Sequence, residues 1–193
     1  LTCINRYLTA EEAAYIVNDC DASILISSAA RGTVADALRE PCPGVKAFLM
    51  TDGALPGWTD YDAALADQSA TNPAEEPAGD SMLYSSGTTG RPKGIMRPLS
   101  GESIRAGTRI SQALAAQYHF TENSVSLSPA PLYHAAPFAY SIGAQSLGAT
   151  VVMMEKFDPE TALGHIERYG VTHSQWVPTM FVRMLKLPET VRG

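Results

Sequence analysis

Cysteine is scarce and scattered in this 193-residue chain: Cys3, Cys20 and Cys42 are the only three. An odd set without close spacing builds neither a disulfide framework nor a zinc site, so a reducing, cytoplasmic setting is the expectation. The opening residues lack a basic segment followed by an apolar one, and no secretory signal is expected there. A transmembrane run is also missing. Residues 123–154 are free of Asp, Glu, Lys and Arg, yet Pro129, Pro131, Pro137, Gly143 and Gly148 interrupt them and His134 lies among them. That stretch reads as buried core. Neither an internal repeat nor a low-complexity tract is present. Positive charge is the scarcer sign, with 14 Lys and Arg against 20 Asp and Glu for a net charge of −6, and this acidity argues against a nucleic-acid partner.

The scarce cations are unevenly placed. Residues 1–83 carry four basic and thirteen acidic side chains, whereas residues 84–120 carry five basic ones and only Glu102 on the acidic side. The positive stretch coincides with the string Ser85-Ser86-Gly87-Thr88-Thr89-Gly90-Arg91-Pro92-Lys93-Gly94, which follows a strand-like run, 81–84. Glycines let the backbone approach a ligand so that successive N–H groups converge on phosphate oxygens. The hydroxyls add donors and Lys93 adds a mobile charge, so a polyphosphate suits the string. No register satisfies the P-loop pattern G-x-x-x-x-G-K-[ST], because Lys93 is followed by Gly94. Gly, Ser and Thr are also ordinary turn residues, and a plain surface turn is the competing reading.

Around this string the pattern is one of alternating strands and helices. Thr9 and Glu12 fit a capping box, and Ala13, Ile16, Val17 and Cys20 follow with the spacing of one buried helix face. Strands are expected over 22–27 and 45–50, a short helix over 33–40, and a helix over 59–67 capped by Thr59. Residues 68–80 read as an exposed connection to a central strand. A short strand over 94–97, a helix over 103–118, a strand over 124–128 and a small-residue helix ending near Gly148 come next. A strand over 149–154 then leads to Asp158-Pro159-Glu160, a strong helix start. A strand over 171–176 and a helix over 178–187 complete the series. Such alternation implies parallel strands with helices on both faces, and 193 residues suffice for one sizeable domain that buries roughly 70 % of its extended surface.

The ten-residue string closely resembles the phosphate-binding signature of the adenylate-forming enzymes, the superfamily of acyl- and aryl-CoA synthetases, luciferases and peptide-synthetase adenylation domains. The resemblance extends to Leu8-Thr9-Ala10-Glu11-Glu12 through Leu25-Ile26, to Pro131-Leu132-Tyr133-His134, to Phe157-Asp158-Pro159-Glu160 and to Val177-Pro178-Thr179. Tyr84 before the string resembles the variant of bacterial acyl-CoA synthetases. The implied fold is α/β, a layered, mostly parallel sheet flanked by helices. The family's later Tyr-Gly-x-Thr-Glu and Thr-Gly-Asp segments and its small C-terminal lysine domain have no counterpart in the sequence. Residues 1–193 are therefore expected to be an incomplete piece of the large N-terminal, ATP- and acid-binding domain.

By resemblance, the parent protein activates a carboxylic acid, fatty or aryl, with ATP through an acyl-adenylate and transfers it to CoA. ATP, Mg²⁺ and CoA are the implied cofactors, and the acid and CoA the implied partners. Ser85, Ser86, Gly87, Thr88, Thr89 and Gly90 would line the phosphates, with Lys93 as supporting cation and Thr88 as first choice for direct contact. His134 would border the acid, although a buried hydrogen-bonding imidazole is an equally ordinary role. His119, His165 and His173 are assigned to packing or surface; Trp176 is left open between lining the acyl or pantetheine channel and the core, the more common place for an aromatic at a strand end. No protein metal ligands are assigned. A module loading a carrier protein and a non-catalytic binding fragment are the rival readings. Absent strands would leave sheet edges open, from which self-association is expected.

Overall fold

Thr9 opens the first helix as the sequence requires: its hydroxyl accepts from the Glu12 amide at 3.3 Å, and the Glu12 carboxylate accepts from the Thr9 amide at 2.8 Å. This helix, α1 (Ala10–Asp19), is followed by β1 (Ile24–Ser28), α2 (Gly32–Asp36) and β2 (Ala47–Thr51). The computed structural model describes residues 1–85 and 91–192, which fall into two compact units, Leu1–Leu99 and Ser100–Gly193.

In the first unit β1 and β2 pair in parallel, with Leu25 opposite Phe48 and Ser27 opposite Met50. Because side chains alternate along a strand, these four share one face. Leu25 and Met50 there join Ala13, Ala14 and Val17 of α1, together with Ala35, Leu38, Cys42, Val45 and Trp58, in one buried cluster. The other face carries Ile24 and Ile26, which are 58 % and 51 % exposed. Among the described residues of this unit no helix covers that second face of β1. Next come β3 (Thr59–Asp60), parallel to β2, and α3 (Tyr61–Ala66). Here the expected Thr59 cap is corrected: Thr59 is spent in strand pairing, and Asp60 caps α3 by accepting from the Ala63 amide at 2.8 Å.

The strand before the phosphate-type string is β4 (Leu83–Ser85), and it pairs with β5 (Lys93–Ile95) in an antiparallel two-stranded sheet. The expected central strand of a parallel sheet is therefore, among the described residues, one arm of a hairpin.

The second unit begins with another correction. A helix starting at Ser103 is interrupted, since Ile104–Ala106 forms a single 3₁₀ turn that ends at Gly107, whose φ of 76° suits a residue without Cβ. Thr108 then caps α4 (Arg109–Tyr118) in a box with Ser111. The chain continues through β6 (Val125–Ser128), α5 (Ala135–Ser146), β7 (Thr150–Met153), α6 (Pro159–Tyr169), β8 (His173–Ser174), α7 (Pro178–Leu185) and α8 (Glu189–Arg192). The three strands are parallel in the order β7-β6-β8. Leu114, Phe120, Ala144 and Ala149 centre the core between α4, α5 and β7. Strand β8 is shorter than the expected 171–176. Hydroxyls replace part of its ladder: the Val125 amide donates to Thr172 Oγ1 at 3.0 Å, and Ser174 Oγ donates to the Leu127 carbonyl at 2.7 Å. Asp158 caps α6 as expected, accepting from the Thr161 amide at 2.9 Å, with Pro159 at the first helical position.

Candidate functional site

The hairpin β4–β5 sets the two ends of the hydroxyl- and glycine-rich string. Its register places Leu83 opposite Ile95, Tyr84 opposite Gly94 and Ser85 opposite Lys93. Directly opposed residues project to the same side, with Cβ atoms about 4.5–5.5 Å apart in any such pair. Ser85 and Lys93 therefore face each other across the hairpin's mouth with their side chains on the same side, and both residues are exposed. Ser86, Gly87, Thr88, Thr89 and Gly90, the other expected phosphate contacts, lie outside the described residues.

Gly94 is required by space. A Cβ at that position would lie 2.9 Å from Cζ and 3.0 Å from the hydroxyl of Tyr84, and within 2.2 Å of the Met82 methyl. The Tyr84 ring thus lies across its glycine partner, and its phenol donates to Oδ2 of Asp19 at the end of α1. Burial, and then that hydrogen bond, push the Tyr84 phenol well above its ordinary value. One helical turn earlier, the Tyr15 phenol donates to the Pro92 carbonyl at 3.1 Å. The Arg91 guanidinium stands 5.1 Å from the centre of the Tyr15 ring, within cation–π range. Glu11, Tyr15, Asn18, Asp19 and Arg91 line an open cleft of about 490 Å³.

These contacts of α1 were not among the residues singled out from sequence. From the sequence Tyr84 reads only as a variant marker. Asp19 did carry a signal: an acidic side chain in the last turn of a helix opposes the macrodipole, and its spacing of four from Tyr15 puts both on one face.

In the second unit, His134 is the N-cap residue of α5 and is exposed; its ring lies 4.5 Å from that of Tyr133, and no side-chain cap bond is made. Its backbone amide donates to the Pro131 carbonyl at 3.2 Å, closing the turn before the helix. The alternative of a buried imidazole does not apply. His173 instead sits between Thr172 Oγ1 at 2.7 Å and the Tyr118 carbonyl at 2.8 Å, with its ring 3.9 Å from that of Phe120. That is a packing role. His119 takes the left-handed conformation that ends α4, and the His165 ring is 5.4 Å from that of Tyr169. Trp176 packs between Phe157 and Phe181, at 6.1 and 5.8 Å. Among the described residues no group of three or more His, Cys, Asp or Glu gathers as a metal site, and no helix is long and apolar enough to cross a membrane.

Parallel sheets flanked by helices, with a glycine–hydroxyl string held between two short strands, make this an α/β chain of the adenylate-forming type. It belongs to the AMP-binding enzyme family, whose model matches residues 1–192. A 4-coumarate–CoA ligase-like protein of Arabidopsis thaliana is 34 % identical over 125 residues, covering 63 % of this chain and 22 % of its own length. A long-chain-fatty-acid–CoA ligase of Thermus thermophilus is 28 % identical over 185 residues, covering 93 % of this chain and 33 % of its own. Among solved structures, the inhibitor-bound N-terminal domain of FACL13 from Mycobacterium tuberculosis superposes with a TM-score of 0.77 at 26 % identity, over 96 % of this chain and 45 % of that one. The chain thus spans between about a fifth and a third of these curated relatives.

Proposed function

We propose that residues 1–193 are part of the N-terminal, ATP- and acid-binding domain of an acid–CoA ligase. The parent enzyme forms an acyl-adenylate from ATP and a fatty or aryl carboxylic acid, and then transfers the acyl group to CoA. The observation that carries this reading is the hairpin register, which brings Ser85 and Lys93 together at the ends of the family's signature string. When the carboxylate attacks the α-phosphate, negative charge accumulates on the departing pyrophosphate. Backbone amides and the hydroxyls of Ser85, Ser86, Thr88 and Thr89, free of side-chain obstruction at Gly87 and Gly90, would stabilise that charge, with Lys93 as the mobile cation. His134, exposed at the start of α5, is assigned to the acid. Mg²⁺, which binds ATP's phosphates with few protein ligands, would share in neutralising the pyrophosphate's charge.

ATP–pyrophosphate exchange with a panel of carboxylic acids tests this reading on the full-length parent and on the 193-residue chain. The parent is expected to exchange in an acid-dependent way and the chain alone not to, since near-attack positioning of acid and nucleotide supplies roughly 7–11 kcal/mol in favourable cases. Thr88→Ala in the parent should lower exchange while leaving folding intact. A parent that exchanges with no acid, or a chain that exchanges unaided, defeats the proposal. Thiol transfer to CoA distinguishes the ligase from a carrier-protein loading module.

A further inference from the structure

We propose that Tyr15 and Asp19 of α1 are positioning residues for the phosphate string, acting as a clamp that holds both arms of its hairpin against one helix face. This inference rests on the ligase reading for its kinetic consequence. Tyr15 and Asp19 stand four residues apart, one above the other on the helix surface. Asp19 takes the Tyr84 phenol from the arm that enters the string, while Tyr15 donates to the Pro92 carbonyl on the segment that leaves it. Arg91 stacks on the same Tyr15 ring. The anchored residues adjoin the functional pair: Tyr84 precedes Ser85, and Pro92 precedes Lys93. Inside α1 the opposite face is fixed by Ala13, Ala14, Ile16 and Val17, which are buried, so the clamp is built on a rigid support. A two-stranded hairpin is marginally stable by itself in water. Without an outside anchor it does not hold Ser85 opposite Lys93 in a fixed register. The missing side chain at Gly94 completes the device, because it lets the Tyr84 ring lie across the hairpin where it reaches Asp19.

The test uses the full-length parent and reads pyrophosphate exchange at varied ATP and varied acid. Tyr84→Phe keeps the ring and removes the donor; Asp19→Ala removes the acceptor; Asp19→Asn keeps an acceptor oxygen. Tyr84→Phe and Asp19→Ala should each raise the KM for ATP by about five- to tenfold, the scale of one lost ordinary hydrogen bond. The KM for the acid should stay within about twofold, the double variant should be no worse than either single one, and Asp19→Asn should recover most of the loss. An unchanged ATP KM, an equal rise for the acid, or additive effects of the two substitutions overturns the clamp. Amide hydrogen exchange over residues 83–85 and 93–95 gives a reading independent of activity. It should quicken in Asp19→Ala and return in Asp19→Asn. If the wild-type parent shows no exchange activity, the ligase reading falls, and the clamp stands or falls on these amides alone.

Discussion

A phenol that keeps its proton more firmly in the folded chain than in the unfolded one makes stability depend on alkaline pH. Tyr84 is such a group through burial and its bond to Asp19, and Tyr140 is another, pushed up to about 12 by burial and a hydrogen bond with Tyr118. The unfolded chain releases these protons near pH 10, the folded chain only above it. Their contribution is therefore complete below pH 10 and is lost as the pH rises through the folded values. Urea midpoints should fall above pH 10, and less steeply when Tyr84→Phe and Tyr140→Phe are combined; parallel curves for the two proteins would refute this. On the acid side the signs reverse. Hydrogen bonds from Thr9 and Thr161 hold the carboxyls of Glu12 and Asp158 below their ordinary values, so these caps act above about pH 4–5 and fade as the pH falls. Both caps were legible in the sequence because their partners lie three residues away. The bond from Tyr84 to Asp19 was not: it spans 65 residues, and only the fold brings its ends together.

Among elements, the crossing of α4 and α5 depends on a missing side chain. A Cβ at Gly143 would meet Leu114 Cδ1 at 2.7 Å and Ile110 Cγ1 at 3.3 Å. Gly143→Val should cost about 1–3 kcal/mol by overpacking. Gly143→Ala should cost less, since a gain of about 1 kcal/mol in helix propensity offsets part of the clash. Chemical denaturation checks both, and a Val variant as stable as the wild type would show that Leu114 repacks freely. Periodicity located most helices because it is a local property. It misjudged where α4 begins, as apolar spacing continues across Gly107 while the backbone does not. It also overextended β8, where the hydroxyls of Thr172 and Ser174 compete for ladder positions. Pairing direction was hidden for a similar reason: nothing within 81–97 says that its two strands bond to each other.

Over the whole chain, the signature string and four flanking motifs carried enough specificity to point to the family, which the match over residues 1–192 establishes. The candidate site was legible in residue type but not in arrangement. Ser85 and Lys93 belong to the first unit and His134 to the second, and no local rule relates residues so distant in sequence. By charge the anion-suited string stands out against an acidic background, whereas periodicity does not mark it. The opposition of Ser85 and Lys93 also turns the string into a gauge of length, with seven residues, 86–92, bridging one fixed pair. Shortening that bridge by a single residue leaves the chain two outcomes. Either the bridge spans the same gap with less chain, or the second arm slips by one position and every side chain on it turns to the opposite face. In the second case Lys93 leaves Ser85's side of the hairpin, and Gly94 no longer lies beneath the Tyr84 ring. Deletions here should therefore be far more damaging than single conservative substitutions in the same segment, even when every functional residue type is retained.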